Sequence, residues 1–209
     1  LYHFAILLPS RADLSAFLKH IIRVGVQLGA SDHLVSEALY FSDPDGNGIE
    51  VYRDRPSNEW SWSNDQVKMV TDPLDGQGIL MESNKEWNGL PEDTVMGHIH
   101  LHVSHLDSTE DFYINGLGFD IVTRYPGALF TSTGKYHHHI GLNVWNGEGA
   151  PAPSSNTVGL NWYSLVYPDE ATRLATVEKL ETLGYQVNKT DDDYEVLDPS
   201  QNRIRLIVK

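Results

Sequence analysis

The chain has 209 residues, 40% of them hydrophobic, enough for one large or two small domains with a sizeable buried core. Its formal net charge of -14, with no basic run to offset it, argues against nucleic acid or an anionic membrane as partner. With no Cys there can be no disulfide, no thiolate-bound zinc and no thiol catalysis, so any metal must rest on His and carboxylate ligands. No apolar run approaches the roughly 20 residues of a membrane span, and the start lacks the basic region of a signal peptide, so a cytoplasmic protein is expected. The chain opens without Met, directly on a strand-like segment, and a missing N-terminal piece is expected.

Residues 2–8 read as a buried strand. Ser10 followed by Asp13 marks a helix start; Leu14, Phe17, Leu18, Ile21 and Ile22 recur at the helical period, and Gly25 is placed to end the helix. A strand is expected from Leu34 to Phe41, a turn at Asp43-Pro44-Asp45-Gly46-Asn47-Gly48, and a short strand from Ile49 to Tyr52. The stretch 53–96, with Trp60, Trp62 and Trp87 among several Gly and Pro, is expected to pack over a neighbour and to hold a short helix.

The same order returns from residue 97. His98 to Val103 reads as a strand, Leu106 to Ile114 as a helix closed by Gly116-Leu117-Gly118, and strands follow around Ile121, Phe130 and His139 to Val144. After a linker from Asn146 to Thr157 it comes a third time: Asn161 to Tyr167 is a strand, Thr172 to Leu183 a helix with Leu174, Val177 and Leu180 on one face, and Gly184 its stop. Asp43-Pro44 stands before Ile49 as Asp198-Pro199 stands before Ile204, with Asn47 and Asn202 at the same offset. Three copies of a β-α-β-β-β unit in an α+β fold are therefore expected. The first module is 1–55, a linker 56–96, the second module 97–146 and the third 159–209.

Seven of the ten histidines lie between His98 and His139, and neutral imidazole is the commonest metal ligand. Placed in the repeat, His3 opens the first module and Glu50 stands on its last strand; His98 opens the second, and His137, His138 and His139 enter its last strand. In the third module Trp162 and Arg205 occupy the places of His3 and Glu50, so that unit lacks ligands. Glu50, between Ile49 and Val51, either faces water or, if buried, has a cation or hydrogen-bond partner. His100 and His102 read as core histidines or as side chains that support the ligands from behind.

At these residues the chain resembles the vicinal oxygen chelate superfamily, which includes glyoxalase I, type I extradiol dioxygenases and bleomycin-resistance proteins. The resemblance is strongest to its bacterial catechol-2,3-dioxygenase-like branch, through Leu1-Tyr2-His3-Phe4-Ala5-Ile6, Asp32 to Tyr40, Asp43 to Tyr52, Gly97 to Val103 and His137 to Asn143. It implies curved, mostly antiparallel half-barrel sheets made by paired modules with helices outside. Four modules are usual, so a partner module is expected before residue 1.

The resemblance also implies His3, Glu50 and His98 as a two-His-one-carboxylate metal site, His138 as acid/base, and His33 and Tyr40 as groups that hydrogen-bond substrate oxygens. That ligand set requires the second module to pair with the first, the reverse of the usual sequential order. The expected cofactor is Fe(II), with Mn(II), Zn(II) and Ni(II) as alternatives. The expected partners are a small aromatic substrate and O2, with a homo-oligomer open. The leading function is extradiol cleavage of a catechol or hydroquinone. Two alternatives stand beside it: glyoxalase-like isomerisation or thiol-conjugate chemistry with His139 or His137 as a fourth ligand, and metal-free binding of a small ligand.

Overall fold

The computed structural model describes residues 1–154 and 156–209. The expected linker Asn146 to Thr157 includes Ser155, which lies outside the described residues. The first module runs β1 (His3–Leu7), α1 (Arg11–Val24), β2 (Gly29–Asp32), β3 (Ser36–Ser42) and β4 (Gly48–Asp54). The connection after it holds a 3-10 turn at Ser57–Glu59, a hairpin of β5 (Trp62–Ser63) and β6 (Gln66–Val67), and the short helix α2 (Gly76–Met81). The second module is β7 (Val95–His102), α3 (Leu106–Glu110), β8 (Asp120–Tyr125), β9 (Ala128–Ser132) and β10 (Ile140–Asn143). The third is β11 (Tyr163–Tyr167), α4 (Glu170–Thr182), β12 (Val187–Lys189), β13 (Tyr194–Leu197) and β14 (Arg203–Val208). The fold is α+β, built from repeated modules in curled, mostly antiparallel half-barrel sheets. Among the described residues, no helix is long and apolar enough to cross a membrane.

Contacts divide the chain into two compact units, one of residues 1–100 with 135–140, the other of 101–134 with 141–209. In the first unit the strands lie in the order β2-β3-β4-β1-β7, with β1 parallel to β4 and antiparallel to β7. Side chains alternate across a strand, so each strand serves two faces. One face carries α1 and α2. There Leu14, Phe17, Leu18 and Ile21 meet Leu39, Val51 and Ile79, with Phe41, Ile49 and Trp87 packed around them. Ser10 caps α1 by accepting from the Asp13 amide, and Gly25 ends it in the left-handed conformation. Ile22, expected in the apolar stripe, is 54% exposed because the helix buries a narrower band.

The first module departs from the sequence reading in two places. The edge strand β2 was not expected. Leu34, expected in a strand, takes φ +66 while its amide donates to Asp32 Oδ1 at 2.8 Å, so the strand starts only at Ser36. That turn sets His33 at the mouth of β3.

In the second unit β10 lies beside the end of β7, β9 beside β8, and a four-stranded sheet runs β11-β14-β13-β12. The expected continuous helix Leu106 to Ile114 is instead α3 followed by a wider π turn at Asp111–Gly116. A Cβ at Gly116 would lie 2.7 Å from Leu180 Cδ2, so the missing side chain is what lets the turn close on α4. Leu174 is half-exposed, whereas Val177 and Leu180 are buried. The paired Asp-Pro turns agree atom for atom. Asp43 Oδ1 accepts from the Asp45 and Asn47 amides, and Asp198 Oδ1 from those of Ser200 and Asn202. In each turn the other oxygen takes the Asn side chain at 2.8 Å.

Candidate metal centre

The opposite face of the first unit's sheet carries the chemistry. Ile49 and Val51 point toward the helices, so alternation turns Glu50, Tyr52 and Asp54 to the other side. Ala5 on β1 is the register partner of both Glu50 on β4 and His98 on β7. Its fully buried methyl leaves room for the two longer side chains to meet over it. Between Ala5 and Ile6 the β1–β7 register shifts, which places Gly97 at a bulge next to His98.

The result is a convergent group. Glu50 Oε2 lies 3.1 Å from His3 Nε2 and 3.0 Å from His98 Nε2. All three residues are buried and offer donor atoms within 4.8 Å of one another. Burial would push Glu50 up, but the His98 and His3 imidazoles outweigh it and hold the carboxyl well below the usual carboxylate range. Burial pushes His98 down, against the pull of Glu50. A carboxylate with imidazole lone pairs is the protonation pattern that a divalent cation requires.

The donor set fits a metal. Two neighbouring ligands about 2.1 Å from an ion at a right angle sit about 3 Å apart, the spacing found here. His3 Nε2 is buried without a hydrogen-bond partner, since its approach to Glu50 is too misaligned to count as one. Leaving such an atom unsatisfied costs stability, and coordination would remove that cost. Two imidazoles and one carboxylate make a donor set that suits a divalent transition metal.

Around this group stand the other expected residues. The His138 ring centroid is 4.1 Å from that of His98, and burial, reinforced by the surrounding imidazoles, holds its pKa well below the usual histidine value. His33 Nδ1 donates to Val70 O at 2.6 Å, and its Nε2 lies 2.7 Å from the Tyr40 hydroxyl. Tyr40 is the cross-strand partner of Glu50 and lies 5.7 Å from the His3 ring. Burial, with Glu50 adding to it, raises the Tyr40 hydroxyl well above its ordinary value.

The two reserve ligands stand outside the convergent group. His137 is fully buried with both ring nitrogens engaged, Nε2 at 2.8 Å from Asp54 Oδ1 and Nδ1 at 2.9 Å from His138 Nδ1. His139 lies against the Tyr136 ring with centroids 4.8 Å apart. His100 is buried edge-on to His3 at 5.0 Å, and in the second unit His102 Nδ1 contacts Asn143 Oδ1 at 2.9 Å. In the third module Arg205 pairs with Glu195 and its guanidinium lies 3.9 Å over Trp162.

Sequence reasoning missed Asp54, Tyr136 and Tyr52. Asp54 sits in the run Arg53-Asp54-Arg55, which reads as a solvated face. The available signal was periodicity, because Asp54 is two positions beyond Tyr52 and four beyond Glu50 on one strand. Tyr52 is fully buried between Ala5 and Ala38, whose small side chains admit its ring.

Residues 95–206 match the family model described as Glyoxalase/Bleomycin resistance protein/Dioxygenase superfamily. The chain is 47% identical over 203 residues to the "Catechol-2,3-dioxygenase" of Bacillus subtilis (strain 168), covering 95% of this chain and 71% of that protein. A solved structure from Bacillus subtilis subsp. subtilis str. 168 covers 100% of this chain with a TM-score of 0.63 at 14% identity, a likeness of fold alone. The chain spans 61% of that structure's length. By family model and relative together, this chain belongs to the glyoxalase, bleomycin resistance protein and dioxygenase superfamily.

Proposed function

We propose that the protein is an extradiol ring-cleaving dioxygenase that acts on a catechol or hydroquinone at an Fe(II) held by His3, His98 and Glu50. The observation that carries this reading is the convergence of those three buried donors over Ala5. The similarity to a protein named as a catechol-2,3-dioxygenase supports a dioxygenase-type function, and the fold alone would not decide among the superfamily's chemistries. Mn(II) suits the same ligand set.

A bound metal would supply a Lewis-acidic template that holds the diol beside O2 and passes electron density between them. The chain's own residues do the rest. Glu50 contributes one negative charge and the two imidazoles none, so the set neutralises only part of a divalent cation and favours an anionic diolate beside it. His138 takes up a proton at Nε2 from the substrate oxygens and returns it to them. Tyr40, oriented by His33, hydrogen-bonds a substrate oxygen at the edge of the site. Burial of His3, Glu50, His98 and His138 limits water at the reacting atoms and strengthens each electrostatic contact.

The glyoxalase-like reading asks for a fourth ligand from His137 or His139, and it has less support because His137 has both nitrogens engaged. On the dioxygenase reading the protein serves the breakdown of small aromatic compounds in the cytoplasm. The test is oxygen uptake by anaerobically iron-loaded protein over a panel of catechols and hydroquinones, with 18O2 as tracer. One O2 consumed per substrate, with both labelled atoms in the ring-opened product, supports the reading. Substrate turnover without O2, or with Zn(II) or Ni(II) only, overturns it.

A further inference from the structure

A hydrogen-bonded chain runs from the buried core to His138. Tyr52 Oη donates to Tyr136 Oη at 2.8 Å, and Tyr136 Oη donates to Asp54 Oδ2 at 2.9 Å. Asp54 Oδ1 faces His137 Nε2 at 2.8 Å, and His137 Nδ1 faces His138 Nδ1 at 2.9 Å. Adjacent residues in a regular strand point to opposite faces, but His137 and His138 lie in the irregular segment before β10, where both can turn inward. Lys135, with φ +58, begins that segment.

The partners decide the protons. A carboxylate only accepts, so His137 Nε2 carries a hydrogen. With that single proton on its ring, His137 presents a lone pair at Nδ1, which can accept only if His138 Nδ1 carries its hydrogen. The lone pair of neutral His138 falls on Nε2. We propose that Asp54 is a positioning residue which, through His137, fixes His138 in the tautomer with its proton on Nδ1 and its lone pair on Nε2. This is the logic by which a buried carboxylate orients an imidazole in hydrolytic triads, extended by one ring. The tautomer assignment stands on the hydrogen-bond geometry; its catalytic meaning rests on the proton-handling role proposed above for His138.

The experiment is a long-range 1H–15N correlation spectrum of the metal-free protein labelled at its histidine nitrogens, with Asp54→Asn beside the wild type. The wild type is expected to show His137 protonated at Nε2 and His138 at Nδ1. In Asp54→Asn the amide can donate to His137 Nε2, and both rings are expected to invert. The iron-loaded variant should bind catechol with KM within about threefold of wild type and bind iron fully, while kcat falls by about a hundredfold or more. A wild-type spectrum with His138 protonated at Nε2 overturns the proposal, and needs no variant to fold. An Asp54→Asn spectrum with His138 unchanged overturns it as well. The predicted tautomers in a protein that consumes no O2 would uphold the role of Asp54 and defeat the ring-cleavage reading separately.

Discussion

A Cβ built on Gly97 would lie 1.9 Å from the hydroxyl oxygen of Tyr52 and 2.6 Å from its Cζ. The two residues come from different modules, and Gly97 immediately precedes the proposed ligand His98. Tyr52 is fully buried and cannot swing aside into solvent. Gly97→Ala should therefore destabilise the protein by about 1–3 kcal/mol, the usual cost of overpacking a filled core. Thermal unfolding measures it. Adding Tyr52→Phe, which removes the closest atom, should return part of the loss, and a single variant as stable as wild type would contradict the packing described.

The ion cluster at the start of α1 sets the behaviour in acid. Glu37 is buried and receives Arg11 Nε at 2.9 Å and Arg53 Nε at 2.6 Å. Burial would raise its pKa, but the two guanidinium groups reverse this and hold it below the usual 4.5. A depressed folded-state pKa stabilises above the unfolded value and is lost as pH falls through the folded one. The unfolding midpoint should be insensitive to pH near neutrality on this account and drop as pH falls below 4.5. Glu37→Gln should cost about 1–3 kcal/mol at pH 7 and flatten that drop. A variant whose acid profile superimposes on wild type would reject the assignment.

The twin Asp-Pro turns offer a comparison of one motif in two environments. Asp43 is half-buried and its hydrogen bonds hold its pKa down, whereas Asp198 is buried and burial pushes its pKa up. Asp198 also accepts from Tyr113 Oη at 3.0 Å. Replacement of Asp198 by Ala strands buried donors and should cost about 2–4 kcal/mol, while the same change at Asp43, whose partners stay open to water, should cost clearly less. Equal losses in denaturant titrations would show that the turn alone, not its burial, decides the cost.

How far the sequence could be read follows from where the information lies. The strand order of each module was legible because apolar alternation and helical spacing are local, and the Asp-Pro turns repeat the same atoms at the same offsets. His3, Glu50 and His98 were legible because equivalent positions in a repeat converge. The strand Gly29–Asp32 was not, since four small and polar residues at a half-exposed edge carry no alternation. Leu34 reads as strand and turns instead under the hold of Asp32. Gly97 owes its identity to Tyr52, and Asp54 owes its partner to His137 far along the chain. Such pairings exist only in the folded sheet.

Iron content after anaerobic Fe(II) reconstitution measures whether His3, Glu50 and His98 hold one metal ion, as proposed. About one iron per wild-type chain is expected, with a loss of tenfold or more in affinity in His3→Ala, Glu50→Ala and His98→Ala, each still folded by circular dichroism. A folded Glu50→Ala protein that binds iron as tightly as wild type would contradict it.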